Sequence, residues 1–518
     1  MSWFDTWAIS LAVFLPTAGA IAIALVPKER DRLVRGLGIL FTFVPLVIGI
    51  AMLFRFDYGM GGAFGGAAGA EGALQFRVNA SWIDAINARF HIGMDGISLP
   101  LFELTLLLSF LSMIYTWKYL PDPGKPKAFV ALLLLLETGM AGTFIAFDLV
   151  LFFVFWELVL VPMYFLIAIW GGPRREYAAI KFFLYTLFGS VFMLLGFLAM
   201  YFRSNIPGVG HTFDMILLQQ AGFDHTFQVI LFGGLFLGFA IKVPMWPFHT
   251  WLPDAHTEAP TVGSVVLAGI LLKMGTYGFV RIALPILPDA AKVWAPWIGV
   301  LAVIAIIYAA LACLAQRDLK RLIAFSSVGH MGFVMLGIAT LTDIGINAAI
   351  FGMVAHGVIT GMLFFLAGSV HERYHTREIA EIGGGMLQKL PNLGGLLAFT
   401  AIASLGLPGL AGFWGEVMAL LSAFNPLGDL SLGLFRTLMV LGGVGTVLTA
   451  GYFLWMLQRV NLGTVPERWQ EKPFVDVTAL EYTSWAPLLA GILLLGIYPR
   501  LILGVTNEAV GSLIGLFG

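Results

Sequence analysis

The sequence predicts an all-α polytopic membrane protein with about fourteen transmembrane helices. Hydrophobic residues make up 59% of the 518 residues, charged residues only 11%, and the mean hydropathy is +0.91. Soluble domains carry roughly 25% charged residues, and a large share of any globular surface must face water. The apolar runs continue for ~20 residues, which is typical of membrane helices and not of ~10-residue alternating barrel strands. Soluble enzymes, nucleic-acid binders and disordered scaffolds are therefore excluded.

Apolar windows bounded by charges or by Pro and Gly clusters define the individual spans. The predicted spans are 7–26, 36–54, 97–117, 128–146, 149–170, 180–201, 227–252, 260–283, 294–314, 322–341, 345–370, 392–424, 433–456 and 484–503. Segment 55–96 is the main insert outside the membrane, and its glycine-rich stretch 59–72 predicts a flexible loop.

The lysines and arginines orient these spans. Eighteen of the 29 bases, Lys320 among them, fall on one side of the membrane, in the loops opposite the termini, and eight, Arg281 among them, fall on the terminus side or at helix ends near it. The positive-inside rule then predicts that both termini lie outside the cytoplasm. The remaining three bases, Lys181, Lys242 and Lys273, fall inside spans, and Lys181 is close enough to a span end to reach the cytoplasmic face.

The composition leaves little room for redox chemistry in this chain. The single cysteine, Cys313, excludes an iron–sulfur cluster and a cysteine-based zinc site. No nucleotide-binding glycine motif is present, and a net charge of -1 gives no reason to expect a nucleic-acid partner. We therefore expect no cofactor in this chain, lipid as its surroundings, and transport across the membrane as its chemistry.

Seven ionisable side chains are predicted to lie at membrane depth. They are Glu137, Glu157, Lys242, Lys273, His330, His356 and Glu416. A charge at the bilayer centre costs roughly 3 kcal/mol, so these groups should face the bundle interior, where they are paired or hydrated. Buried acids and bases of this kind can exchange protons near neutral pH, which a proton relay requires. One buried pair could equally well only fix helix packing, but the distribution over seven spans favours a relay.

Two of these groups coincide with predicted helix breaks. Pro244 and Pro247 should interrupt span 7 within a few residues of Lys242. Gly406, Pro408, Gly409 and Gly412 should interrupt span 12 just before Glu416. Non-helical backbone at membrane depth is tolerated only where it is buried in protein or lines an aqueous cavity. The two breaks therefore indicate ion sites, as in transporters built from inverted repeats.

His249, Asp254, His256 and Glu258 cluster at the cytoplasmic end of span 7. Their spacing fits no standard zinc motif. We interpret the cluster as a polar helix cap or a proton entry region, and no metal site is predicted.

Four long strings of the sequence resemble the antiporter-like subunits of respiratory complex I. They are FWELVLVPMYFLIAIWG (155–171), IKVPMWPFHTWLPDAHTEAPTVGSVVLAGILLKMGTYG (241–278), RDLKRLIAFSSVGHMG (317–332) and AHGVITGMLFFLAG (355–368). The resemblance extends over essentially the whole chain. The string LPGLAGFWGE ends at Glu416. A glutamate at this position resembles the M-type branch of the family, since L-type and N-type chains tend to have lysine there.

The resemblance implies an architecture of two inverted five-helix repeats with discontinuous helices 7 and 12. Residues 1–127 would hold helices 1–3 with the outer loop, 128–283 the first repeat (helices 4–8), 294–457 the second repeat (helices 9–13), and 484–518 helix 14.

The resemblance also implies roles for the buried groups. Glu157 resembles the helix-5 glutamate that pairs with the helix-7 lysine, here Lys242, and Lys273 resembles the central helix-8 lysine. His330 and His356 resemble polar connectors along a hydrophilic axis. In the same way, Glu416 resembles the exit-side residue of the second half-channel, and Glu137 matches a helix-4 carboxylate.

The function implied is that of a proton-translocating membrane-arm subunit of NADH:quinone oxidoreductase in an energy-transducing membrane, most simply a bacterial inner membrane. NADH, flavin, iron–sulfur clusters and quinone would belong to partner subunits, and the membrane neighbours would be L-type and N-type chains. Three alternatives fit the same residues: a subunit of a multi-subunit cation/proton antiporter, a subunit of a membrane-bound hydrogenase, and a passive scaffold in such an assembly.

Overall fold

The computed structural model describes residues 3–64 and 72–517, and in this part of the chain the protein is a helical bundle with one β-hairpin. Helices of eight residues or more are α1 (Trp3–Leu25), α2 (Asp31–Arg55), α3 (Ser98–Thr116), α4 (Pro126–Ile145), α5 (Leu149–Trp170), α6 (Arg175–Arg203), α7 (His225–Lys242), α8 (Trp251–Glu258), α9 (Thr261–Ile286), α10 (Pro288–Leu314), α11 (Leu319–Ala339), α12 (Asp343–Tyr374), α13 (Pro391–Ser404), α14 (Ala411–Phe424), α15 (Leu432–Val460), α16 (Ala479–Ile497) and α17 (Arg500–Ile514). The hairpin strands are β1 (Gln75–Ile83) and β2 (Ala88–Met94).

The membrane crossings match the predicted fold class. Thirteen helices within the described ranges are long and apolar enough to cross a membrane. The α13 and α14 helices together supply a fourteenth, interrupted crossing, because neither reaches the ~20 residues that a bilayer requires. The prediction of an all-α polytopic membrane protein is confirmed.

Both predicted helix interruptions are present. The α7 helix ends at Lys242, directly before Pro244 and Pro247, and α8 begins at Trp251. The α13 helix ends at Ser404 and α14 begins at Ala411. In the second gap Gly406 and Gly409 have φ values of +83° and +92°, which side-chain-bearing residues rarely adopt.

The predicted insert 55–96 and the predicted end of span 14 differ from the structure. The insert 55–96 contains a hairpin in which β1 pairs antiparallel with β2, with Val78 opposite Ile92. Of the predicted flexible loop 59–72, residues 65–71 lie outside the described ranges, and Ala63 and Phe64 are buried against the bundle. Span 14 was predicted to run to residue 503, but α16 ends at Ile497 and a separate helix starts at Arg500, because Pro499 cannot donate a main-chain hydrogen bond.

The centre of the bundle is formed by α9 and α12. The most apolar stretch of α9 is entirely buried and that of α12 is 94% buried, whereas those of α2 and α15 are only 33% buried. The two central helices approach closely where Gly357 faces Gly269, since a Cβ added at Gly357 would lie 2.8 Å from the Gly269 carbonyl oxygen. This contact places the residue before Gly357, His356, beside α9.

The Gly357→Ala variant should therefore destabilise the protein. The added methyl group would also lie 2.6 Å from Leu104 Cδ2, so α12 must move away from α9. Overpacking of this kind costs about 1–3 kcal/mol. The measurement is the apparent melting temperature of the purified protein in detergent.

The matched control is Gly443→Ala on α15, where an added Cβ meets nothing within 4 Å. This change should stabilise the helix by about 0.5–1 kcal/mol, because alanine loses less backbone entropy than glycine. A Gly357→Ala protein that melts as high as the control would contradict the proposed helix contact.

Candidate functional site

Four of the predicted side chains form a continuous, largely buried line between α9, α12, α11 and α14. Lys273 Nζ lies 2.6 Å from His356 Nδ1. The His356 and His330 rings are 5.7 Å apart between centroids, and His330 Nδ1 lies 3.0 Å from Glu416 Oε1. Lys273 is fully buried, and His356 and Glu416 are 6% exposed. The structure thus brings together an ammonium, two imidazoles and a carboxylate away from water.

An irregularity of α9 holds Lys273 in this line. Residues Leu267–Leu271 form a π-helical turn, which interrupts the regular main-chain ladder of an α-helix. Lys273 Nζ donates a hydrogen bond to the carbonyl oxygen of Ala268 in this turn. The π-helical turn therefore supplies the buried ammonium with an uncharged hydrogen-bond acceptor, and His356 supplies a ring nitrogen that can take up its proton.

The break between α13 and α14 holds the other end of the line. His330 Nε2 lies 3.0 Å from Ser404 Oγ, at the last residue of α13, while its Nδ1 faces Glu416 on α14. Gly406 makes room for the carboxylate, because a Cβ there would lie 3.2 Å from Glu416 Oε2. Both halves of the interrupted helix therefore contribute a partner to one imidazole.

A cavity of about 30 Å³ lies between these groups, and His330, His356, Ser404 and Glu416 contribute the polar part of its lining. His356 Nε2 and Glu416 Oε2 are buried and have no protein hydrogen-bond partner. A cavity of this size with polar groups on its wall has room for about one or two waters, which can connect imidazole to carboxylate.

Glu157 and Lys242 lie near each other but are not in direct contact. Lys242 is buried, and its Nζ lies 5.0 Å from the centre of the Trp156 ring. The two charges interact electrostatically, yet no ion pair of 4 Å or less joins them among the described residues. The pairing that the family resemblance implies is therefore open in this structure, and an aromatic face holds the ammonium instead.

Glu137 stands apart from this line. It is fully buried in α4, and neither carboxylate oxygen has a protein partner. The structure does not connect Glu137 to the other predicted groups.

Two further buried groups extend the line toward the Thr261 end of α9. His256 is fully buried and stacked on Phe364 with 4.5 Å between ring centres, and it lies within electrostatic reach of both Lys320 and Lys273. Lys320 was assigned to a cytoplasmic loop, but its side chain is buried and donates to the carbonyl oxygen of Ala259. The sequence carried one signal for this burial. Lys320 lies two helical turns before the buried Ser327 and therefore on the same face of α11.

Asp254 and Glu258 of the polar cluster near α8 have separate partners. Asp254 Oδ2 lies 2.7 Å from Lys181 Nζ, so Lys181 forms an ion pair at this position. Glu258 accepts a hydrogen bond from the Arg174 main-chain N–H at 3.0 Å. The residues that the structure describes contain no group of three His, Cys, Asp or Glu side chains able to hold a metal ion.

Asp148 fixes the start of α5, nine residues before Glu157. It accepts hydrogen bonds from the main-chain N–H groups of Val150 and Leu151, at 2.9 and 3.1 Å. Burial raises the pKa of Asp148 to about 6, although these hydrogen bonds act in the opposite direction, and the nearby Asp214 carboxylate adds to the rise.

The Asp148→Asn variant should consequently become more stable than the wild type as the pH rises. Ionisation of a carboxyl whose pKa is raised on folding disfavours the folded state, so the wild type loses stability between pH ~4 and ~7, by up to about 3 kcal/mol. Asparagine can still accept the capping hydrogen bonds. The measurement is the difference in melting temperature between variant and wild type across this range.

Asp224→Asn is the control with the opposite sign. Asp224 caps the exposed start of α7, and its hydrogen bond from the Phe227 main-chain N–H lowers the pKa of this carboxyl. This variant should lose stability relative to the wild type as the pH rises. The same trend in both variants would contradict the assignment for Asp148.

The interrupted helices and the buried Lys–His–Glu line define an antiporter-like membrane subunit, and comparison with known proteins agrees. Residues 146–448 match the family model described as "NADH:quinone oxidoreductase/Mrp antiporter, TM". NADH-quinone oxidoreductase subunit M of Rhodobacter capsulatus is 39% identical over 98% of this chain and 96% of the relative. The same subunit of Rickettsia prowazekii is 40% identical over 98% of both chains.

Solved structures give the same result. A chain of respiratory complex I from Thermus thermophilus has a TM-score of 0.85 and 28% identity over 98% of this chain and all of that one. A chain of the Mrp complex from Dietzia shares the fold, with a TM-score of 0.81 and 22% identity over 97% of this chain and 52% of its own. The chain belongs to the NADH:quinone oxidoreductase/Mrp antiporter family, and within it to the subunit M group of NADH-quinone oxidoreductases.

Proposed function

We propose that this chain translocates protons as a membrane-arm subunit of an NADH:quinone oxidoreductase. The observation that carries the proposal is the buried contact line from Lys273 through His356 and His330 to Glu416. Neighbouring members of this line are close enough for direct proton transfer or for transfer through one or two waters. Four titratable groups at such spacing, three of them buried and His330 only 11% exposed, are costly to fold and are typical of functional sites in membranes.

In this mechanism a proton on Lys273 passes to His356 Nδ1. The cavity between the histidines carries it to His330, and Glu416 receives it from His330 Nδ1. His256 and Lys320 supply the cytoplasmic end of the line. Charge repulsion drives each proton transfer along the line. A group that carries a proton holds it more weakly when a second positive charge approaches.

The Glu157–Lys242 pair acts as the switch. When Glu157 is close, its negative charge favours the protonated form of Lys242. When the ammonium lies on the Trp156 ring, as in this structure, that support is weaker and the lysine more readily gives up its proton. Movement between these two positions would couple Lys242 to Lys273 and so to the rest of the line.

The driving redox chemistry belongs to other subunits in this proposal. NADH, flavin, iron–sulfur clusters and quinone would be held by partners, and L-type and N-type chains would be the membrane neighbours. The two halves 128–283 and 294–457 would be inverted repeats, each with one interrupted helix. The membrane would be a bacterial inner membrane with both termini on the non-cytoplasmic side, in keeping with the distribution of lysine and arginine.

Substitution of either member of the switch should reduce proton pumping. Lys242→Ala removes the ammonium and Glu157→Ala removes the charge that supports it, so protons can no longer be released on demand. We expect proton uptake coupled to NADH oxidation to fall severalfold in membrane vesicles that contain the assembled complex. The control is Lys292→Ala, since Lys292 forms a surface ion pair with Asp429 at 2.9 Å. Unchanged pumping with normal electron transfer would refute the proposed switch.

Glu416→Gln tests conduction against a purely structural role. Glutamine keeps the shape of the side chain and can still contact His330, but it cannot take up a proton. Proton pumping should therefore fall while the amount of assembled complex stays the same. A passive scaffold requires the opposite result, namely normal pumping in this variant.

A further inference from the structure

A second buried charge lies outward from Lys273 on the same face of α9. Tyr277 and Arg281 follow Lys273 by four and eight residues, and all three are at most 1% exposed. Arg281 is thus displaced by about 12 Å along the helix toward the side of the termini. It was assigned from the sequence to a helix end, where an arginine reaches water, but its side chain is enclosed by protein.

Polar partners hold the guanidinium of Arg281 in a fixed position. Its Nη2 lies 2.6 Å from Asp95 Oδ1, and its Nε donates to the Tyr277 hydroxyl at 3.0 Å. The Tyr277 hydroxyl in turn donates to the Phe144 carbonyl oxygen at 2.8 Å. These contacts tie α9 to α4 and to the segment that leads into α3.

Aromatic rings enclose the same guanidinium. Its carbon lies 4.9 Å from the centre of the Phe64 ring, 4.8 Å from that of Phe147 and 5.4 Å from that of Tyr277. All three rings are buried. Arg281 Nη1 has no protein hydrogen-bond partner. The charge therefore lies in a collar of aromatic carbon, which we call the aromatic collar.

Asp95 is held as the permanent counter-ion. It accepts hydrogen bonds from the main-chain N–H groups of Ala63, Ile97 and Ser98. Burial alone would raise the pKa of Asp95, but Arg281 and these main-chain donors keep it below its usual value. Asp95 is thus unsuited to accept a proton, and arginine does not lose one in proteins.

We infer that the Arg281–Asp95 pair and the aromatic collar form a barrier that closes the outer side of Lys273 to protons. This inference rests on the proposed function. A fixed cation in a narrow route repels protons, as arginine does in selective membrane pores, and the aromatic collar excludes the water that would conduct them. The route that remains for a proton on Lys273 is the lateral one, through His356 toward Glu416.

The test is the double variant Asp95→Asn/Arg281→Gln in the assembled complex, reconstituted into lipid vesicles. Removing both charges leaves no unpaired buried ion, so the fold is disturbed as little as this pair allows. We expect passive proton permeability to rise severalfold and the number of protons moved per NADH to fall. Lys292→Gln on the same side is the control and should remain proton-tight.

Phe147→Ala is the second variant and keeps both charges in place. It opens the aromatic collar to water and should also leak, even if the double variant fails to assemble. Assembled variants that all remain as tight as the wild type would overturn the barrier and leave the pair a structural tie alone.

Adding Lys273→Met separates this inference from the proposed function. The leak should disappear in the combined variant, because its route starts at Lys273. A leak that persists would overturn the inference while leaving proton translocation intact. Normal pumping in the single variant Lys273→Met would instead refute the proposed function.

Discussion

The contact between Lys273 Nζ and His356 Nδ1 is the interaction on which the centre of the molecule depends. An ammonium far from water needs acceptors, and α9 provides one through its π-helical turn at Ala268 while α12 provides the other. The two helices must then lie backbone to backbone, which the Gly269–Gly357 approach allows. Packing and chemistry therefore constrain each other here, because any change that separates α9 from α12 also separates the lysine from its histidine.

The interrupted helices follow from the same constraint. A regular membrane helix has no free main-chain groups at depth, so α7 and α13–α14 place their gaps where polar side chains need room or partners. At the second gap, Ser404 and Glu416 approach one imidazole from the two sides of the interruption. The first gap ends α7 at Lys242, whose ammonium rests on an aromatic ring. The costly features of the fold are thus gathered around the groups that we propose to exchange protons.

Hydropathy and proline chemistry predicted the helices and both interruptions, because these properties act within a few residues. The buried Lys320 and Arg281 were missed for the opposite reason. Counting charges assigns a basic residue to the nearest loop, whereas burial depends on partners distant in sequence, such as Ala259 and Asp95. The open Glu157–Lys242 pair was also beyond prediction, since a pattern of residues does not specify which of two side-chain positions is occupied. The hairpin in the insert escaped notice because its neighbouring glycine-rich stretch dominates the composition.

His330 has a partner on each ring nitrogen, Ser404 at Nε2 and Glu416 at Nδ1. An imidazole that receives a proton on one nitrogen and releases one from the other is left as the opposite tautomer. It must rotate or move a proton back before the next transfer. In this site a rotation breaks hydrogen bonds to both halves of the interrupted helix at once. The proposed relay must therefore reset after each transfer, and this reset is coupled to the loop that joins α13 to α14.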